Sequence, residues 1–432
     1  MSTTAAPGAG TPAAPAMPPM GRLLLMAVVV GVLGAAAASI LMEVIDGGQE
    51  LLFNELPSAF GLAEAPWWWA VILLFVGAAG VALARRMPGA TGKGPLTGFH
   101  FDDPIRIVPS VIVAAVFTLC FGFVLGPEAP LIVVGTLVGG LLTRRQGGQV
   151  QRAAMMLGGV AGIGAVLGNP FVTAFMIMEF VAIGSAPGLV IVPALLALAA
   201  GYVTQIGIFG LPGFGVHTLA VPGLPQYDSI EFGDIAVGLL VAVIAGLIAI
   251  VAREAAVKID VRAQARPVLL LFVGAAVTSL VVIIAVVGFD VPLVGILFSG
   301  QTGMGALLAE TSLTVVIVTL VGKAIAYSFA LGSGFRGGPI FPATFLGVAG
   351  AVLVATLLPS ISITPLAAAG IAAAAAAMLR LPATAALLGA LLVAGGGAAV
   401  APFAILGAVI GFVIRVVVDR RMGIPAPAGA DA

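Results

Sequence analysis

Apolar runs, broken by glycine and proline and almost free of charge, fill this chain from Arg22 to about residue 420. They begin near residues 22, 67, 106, 131, 154, 188, 234, 268, 312, 340, 383 and 401. An ordinary soluble domain carries about 25% charged residues. Here 8% of 432 residues are charged, 61% are hydrophobic, and the mean hydropathy is +1.23. Such a chain has too few charges to clothe a water-facing surface, and an all-α polytopic membrane protein is expected. Several runs fall short of the roughly 20 residues that cross a bilayer. The runs 131–143, 170–182 and 366–378 are cut by Gly or Pro. Breaks of this kind survive in a membrane only where protein or a watery cavity satisfies the freed backbone groups, so they point to an ion or substrate site.

The charges that remain are sorted along the chain. Basic clusters stand at Arg85, Arg86 and Lys93, at Arg144, Arg145 and Arg152, between Arg253 and Arg266, and at Arg415, Arg420 and Arg421. The stretch after the first span is acidic, with Glu43, Asp46, Glu50, Glu55 and Glu64, and is read as a loop. The positive-inside rule then places both termini and the basic clusters in the cytoplasm and the acidic stretch outside, in a plasma membrane of bacterial inner-membrane type. Net charge is zero and no basic patch argues for nucleic acid. Residues 1–20 read as a disordered tail rather than a signal peptide, and 421–432 as a short cytoplasmic tail, with no soluble domain expected at either end. The one cysteine, Cys120, lies in an apolar run. The two histidines, His100 and His217, lie in loop-like stretches, so no metal site or organic cofactor is implied.

The chain repeats itself. TGKGPL at 91–96 returns as TGMGAL at 302–307, an offset of 211. GPEAPLIVVG at 126–135 returns as GPIFPATFLG at 338–347, and GNPFVTA at 168–174 is echoed by RLPATAA at 380–386, both at an offset of 212. Three echoes in order indicate a duplicated unit, about 20–225 and 232–420, within one membrane domain of residues 21–420. Membrane duplications of this kind are often inverted, with the site at the interface between the halves.

Glu128 and Ile340 are counterparts in that repeat, each where a Gly-rich loop turns into an apolar helix. A helix N-terminus leaves backbone N–H groups unpaired and carries roughly half a positive charge. Two such ends meeting would hold an anion without Lys or Arg. Glu128 carries the same sign as the ion, so it could take the anion's place and leave when protonated. A charge at such depth costs about 2.5–3.5 kcal/mol on insertion scales, which marks it as functional.

On these residues the chain resembles the CLC chloride channels and chloride/proton antiporters, as a divergent bacterial-type member without CBS domains. The family signature of Gly, a basic residue, Glu, Gly, Pro is matched by Gly126-Pro127-Glu128-Ala129-Pro130. The signature G-x-F-x-P is matched, with Phe shifted by one, by Gly338-Pro339-Ile340-Phe341-Pro342. The stretch 158–179 resembles the segment before the family's internal glutamate. The resemblance implies an inverted repeat of tilted and broken helices and a homodimer with one ion pathway per subunit. It implies Glu128 as gate, Glu179 on a proton path, and an anion held by Gly126, Ala129, Gly338, Ile340 and Phe341. Gly92 stands where the family carries an anion-binding serine, and Thr91 beside it is the candidate hydroxyl. The family's central tyrosine comes from a last helix without a counterpart here, and Tyr202, Tyr227 and Tyr327 lie elsewhere. Lys323 either supplies positive potential to the pathway or snorkels to an interface.

The expected function is transport of small inorganic anions, chloride foremost, by a glutamate-gated channel or chloride/proton antiporter, and not an enzyme activity. The alternatives are an uncoupled channel, a carrier for fluoride or nitrate, and a degenerate member that transports nothing. A serine hydrolase built on Ser333 would need a nearby base, for which Lys323 is the one candidate.

Overall fold

The computed structural model describes residues 19–423 apart from Gly147, Gly168, Ser185 and residues 209–219. The tail expectations for 1–18 and 424–432, and His217, lie outside the described residues. The described chain is helical, with no β-strand. Its long elements are α1 (Met20–Ala59), α2 (Trp67–Ala84), α3 (Val108–Leu119), α4 (Glu128–Leu142), α5 (Gly148–Gly164), α6 (Pro170–Ala182) and α7 (Ile191–Ile208). After residue 220 follow α8 (Phe232–Ala265), α9 (Pro267–Phe289), α10 (Leu313–Gly332), α11 (Ile340–Leu357), α12 (Ile363–Leu379), α13 (Pro382–Leu392) and α14 (Ala401–Arg421). Among the described residues eight helices are long and apolar enough to cross a membrane, and α3, α4, α6, α12 and α13 are shorter apolar helices. The chain is an integral, multi-pass membrane protein.

Local chemistry sets many of the starts. Pro170, Pro267 and Pro382 open α6, α9 and α13, where the missing N–H costs nothing and φ is already helical. Asn169 caps α6 through its side chain, which accepts the Phe171 N–H at 2.9 Å. The acidic stretch after the first span is helical as far as Glu55, and only Glu64 lies in the connecting loop. Glu43, Asp46, Glu50 and Glu55 all ride on α1, whose turn at Leu51–Glu55 widens to a π-helix. Gly47 and Gly48 weaken a helix without stopping it, and α1 runs on past Pro57 to Ala59.

The two halves pack alike. In the first, α4 lies on α5, with α1 and α7 alongside; in the second, α11 lies on α12, with α8 and α14 alongside. Both helix pairs cross through glycine. Gly135 on α4 meets Gly158 on α5, and Gly347 on α11 meets Gly370 on α12, each 212 residues on. A Cβ on Gly347 would lie 2.5 Å from the Gly370 carbonyl oxygen. Without solvent to drive helices together, close backbone approach through small residues supplies the packing. Gly347→Ala is therefore expected to lower stability by about 1–3 kcal/mol, as overpacking does. Gly288→Ala, whose Cβ would meet nothing within 4 Å, should be neutral or stabilising by about 0.5–1 kcal/mol. Thermal unfolding of both in detergent compares them, and equal midpoints would refute the crossing argument.

Candidate functional site

The two Gly-Pro loops bind each other. The Gly126 N–H donates to the Gly338 carbonyl at 2.8 Å, and the Gly338 N–H donates back to the Gly126 carbonyl at 2.5 Å. Phe123 and Phe335, also 212 apart, stack with centroids 3.7 Å apart. These reciprocal contacts relate the loops by a local twofold. Pro127 and Pro339 follow, and then α4 opens on Glu128 and α11 on Ile340.

Here the symmetry breaks. Glu128 reaches across to the opposite helix, and its Oε1 accepts the Phe341 N–H at 2.7 Å. It thereby takes one of the N–H groups that the start of α11 leaves unpaired, at the positive end of that helix. The side chain is fully buried, and Oε2 has no hydrogen-bond partner. That oxygen lies in a cradle made by the α-carbons of Gly126 and Gly338, and a Cβ on either would collide with it. The residues on either side of Glu128 line different cavities. Pro127 borders one of about 590 Å³, together with Asp46, Gln49, Glu50, Ser299 and Gln301. Ala129 borders one of about 40 Å³, together with Lys93, Gly94, Asp103, Arg336 and Gly337. Glu128 is the residue between these two in the chain and is in the lining of neither cavity.

The loops supply fewer donors than the sequence led us to expect. The N–H groups of Gly126 and Gly338 are spent on each other, so these glycines build the cradle and offer no donor to an ion. The Thr91 N–H donates to Ser110 Oγ at 3.2 Å and its hydroxyl to the Ala90 carbonyl at 2.5 Å. The Gly92 N–H donates to the Gly89 carbonyl at 2.9 Å. Thr91 and Gly92 instead present carbonyls, which Arg336 takes: Nε donates to Thr91 at 2.6 Å and Nη2 to Gly92 at 3.0 Å.

Tyr327 does belong to the site. It is fully buried, and its hydroxyl donates to the Pro339 carbonyl at 2.7 Å, one residue before α11. Lys323 sits one turn earlier on α10, fully buried. Its Nζ donates to the Leu297 carbonyl at 2.7 Å and the Ile296 carbonyl at 3.4 Å, and lies 4.4 Å from the centroid of the Phe345 ring. It does not snorkel, because the middle of α10 faces protein. The signal was present in sequence: Thr319, Lys323 and Tyr327 recur every four residues and share one buried face. Ser333 is buried beside Gly274 with no hydrogen-bond partner, so it has no base within reach.

Glu179, at the end of α6, is held elsewhere. Its carboxylate accepts the N–H groups of Ala383 at 2.8 Å and Thr384 at 2.7 Å and also the Thr384 hydroxyl. It thus caps α13, a job for which a carboxylate at a helix N-terminus is suited. Outside the spans, burial pushes the Asp103 carboxyl above its ordinary range, opposed by Lys93, whose Nζ is 4.0 Å away, and by His100.

A family model described as voltage gated chloride channel matches residues 91–416. The chain belongs to that family. Among its relatives is YfeO of Escherichia fergusonii, named as an ion-transport protein, 30% identical over 352 residues that cover 78% of this chain and 80% of the relative. The protein of the same name from Escherichia coli strain SE11 is 29% identical over 349 residues with the same coverage. The fold matches the crystal structure of a slow cyanobacterial Cl⁻/H⁺ antiporter with a TM-score of 0.73, at 18% identity, over 94% of this chain and 99% of the other. It also matches a CLC-type fluoride/proton antiporter with a TM-score of 0.72, at 20% identity, over 92% and 95%.

Removing the cap at α13 tests what Glu179 does. Glu179→Ala should lower stability by about 0.5–2 kcal/mol, the usual worth of an N-terminal cap. An unchanged unfolding midpoint, together with loss of proton movement, would return Glu179 to a proton path.

Proposed function

We propose that this chain carries small inorganic anions, chloride foremost, across the membrane in exchange for protons, with Glu128 as the gate. The observation that carries the reading is the buried Glu128 carboxylate on the Phe341 N–H at 2.7 Å, with Pro127 before it and Ala129 after it lining two different cavities. A carboxylate and a halide compete for the same amide, because both are anions seeking the positive end of α11. While charged, Glu128 occupies that place and closes the way between the cavities. When it takes a proton it loses its attraction to the helix end and is free to turn toward the larger cavity. An anion then reaches the Phe341 amide, with Ile340 and Ala129 beside it. The proton leaves as Glu128 returns, so proton and anion movements are linked through one side chain. The two structural neighbours are described as a chloride/proton and a fluoride/proton antiporter, which supports coupling and leaves fluoride as the second candidate ion. We further assign a homodimer with one pathway per chain, and both termini to the cytoplasm on the distribution of Arg and Lys.

Purified protein in chloride-loaded liposomes tests the reading, with chloride efflux and external pH recorded together. The wild type should release chloride with proton movement, and Glu128→Gln should release chloride with none. Gly338→Ala, whose Cβ would evict the carboxylate from its cradle, should behave like Glu128→Gln. Efflux without protons in the wild type would make the protein a channel. Absence of chloride, fluoride and nitrate flux in all three proteins would refute the transport reading.

A further inference from the structure

Arg336 is a buried charge that the gating scheme does not use. A guanidinium has five N–H donors in a fixed fork. Nε donates to the Thr91 carbonyl at 2.6 Å, Nη1 to the Gly334 and Phe335 carbonyls at 3.0 Å each, and Nη2 to the Gly92 carbonyl at 3.0 Å. Four donors are accounted for, and one on Nη2 remains. Among the described residues no carboxylate forms an ion pair with it, although the residue is only 7% exposed. Carbonyls solvate a cation but do not neutralise it, and the two charges that act on Arg336 from outside the cavity, Arg85 and Asp260, oppose each other.

The charge faces a hollow. Arg336 lines the cavity of about 40 Å³ that Ala129, the residue after Glu128, also lines. Gly94 lies across that space: a Cβ there would have Arg336 Nη1, at 4.0 Å, as its sole neighbour within that distance. The other charges at this cavity largely answer one another. Lys93 Nζ lies 3.4 Å from Asp102 and 4.0 Å from Asp103. His100 completes the set of titratable groups in the lining. A buried guanidinium with a spare donor and no carboxylate in ion-pair contact, beside a space large enough for one small ion, is a built anion site.

We infer that Arg336 holds a small anion in the 40 Å³ cavity between Gly94 and Ala129, one step from the amide that Glu128 occupies. The donors that Thr91 and Gly92 fail to offer are replaced by the side chain that ties their carbonyls down. The site has space for a small inorganic anion. A weakly hydrated planar guanidinium also gives up its own water at less cost than a lysine ammonium would. The inference rests on the transport reading, since it gives the pathway a second resting place, and its test separates the two.

Anomalous diffraction from crystals grown in bromide reads the site directly. Wild type and Glu128→Gln should both show a bromide peak in hydrogen-bond contact with Arg336 Nη2, and Glu128→Gln should show a second at the Phe341 N–H. Because Arg336 ties two loops together, its own removal risks unfolding, so the decisive variant is Gly94→Val. Gly94 has φ of −80°, which a β-branched residue adopts without strain. Gly94→Val should abolish the peak at Arg336 and keep the one at Phe341 in the Glu128→Gln background. It should also raise the anion concentration for half-maximal flux by about tenfold, as expected for loss of one hydrogen bond to a charged group. A peak at Phe341 alone would overturn this inference and spare the gating scheme. Peaks at neither place would overturn both. A peak at Arg336 in a protein without flux would uphold the site and refute transport.

Discussion

Two hydrogen bonds between glycines hold this architecture's centre. The Gly126 and Gly338 backbones exchange N–H groups, and that exchange fixes where α4 and α11 begin and how their N-terminal ends face each other. Any side chain on either glycine would occupy the space of the Glu128 carboxylate. The absence of side chains therefore does two things at once: it lets two backbones pair inside a helical membrane protein, and it leaves a cavity shaped for one carboxylate. Pairing also removes four backbone groups from the count of polar atoms that hydrocarbon would leave unsatisfied.

The same constraint governs the buried charges. Lys323 and Arg336 are each solvated by main-chain carbonyls in turns and loops rather than by a carboxylate. Paired with an acid, either would be electrically quiet. Solvated by carbonyls, neither has a carboxylate in ion-pair contact among the described residues. Removing a carbonyl partner would leave part of a charge bare in a poor solvent, which is costly. The loops 91–92, 296–297 and 334–335 are thereby tied to the cations they surround.

Much of the frame was legible in the chain itself. The 212-residue offset that joins Gly126 to Gly338 in sequence joins them in space, and the helix starts at Glu128, Ile340, Pro170 and Pro382 fall where glycine and proline place them. Hydropathy and helix-breaking residues act locally, so they survive translation into structure. Partner choice does not. Thr91 and Gly92 look like donors because their types match a binding loop, yet the Thr91 N–H goes to the Ser110 hydroxyl on α3 and the Gly92 N–H closes a turn on Gly89. Tyr327 lies 13 residues before Ile340 in the chain, and the return of the chain through Gly334 brings it to the Pro339 carbonyl. Nothing in the sequence neighbours of Arg336 reveals that its fork closes on carbonyls 244 and 245 residues away. The acidic run after the first span misled for the opposite reason, since charge density argues for a loop while helix propensity carries α1 through it.

The two cavities give the asymmetry of the site a physical meaning. The repeat supplies two equivalent helix ends, but only α4 carries a carboxylate, and it spends that charge on α11. Ile340, the counterpart of Glu128, can make no such contact, so one helix end is occupied by protein and the other is not. On the side of the larger cavity, Asp46 and Glu50 present negative charge. On the side of the smaller one, Arg336 presents a positive charge with a free donor. An anion therefore meets repulsion in the wide cavity and attraction in the narrow one, and a proton meets the reverse. In the proposed scheme the Glu128 carboxylate, held on the Phe341 N–H, is the group that answers what arrives from either side.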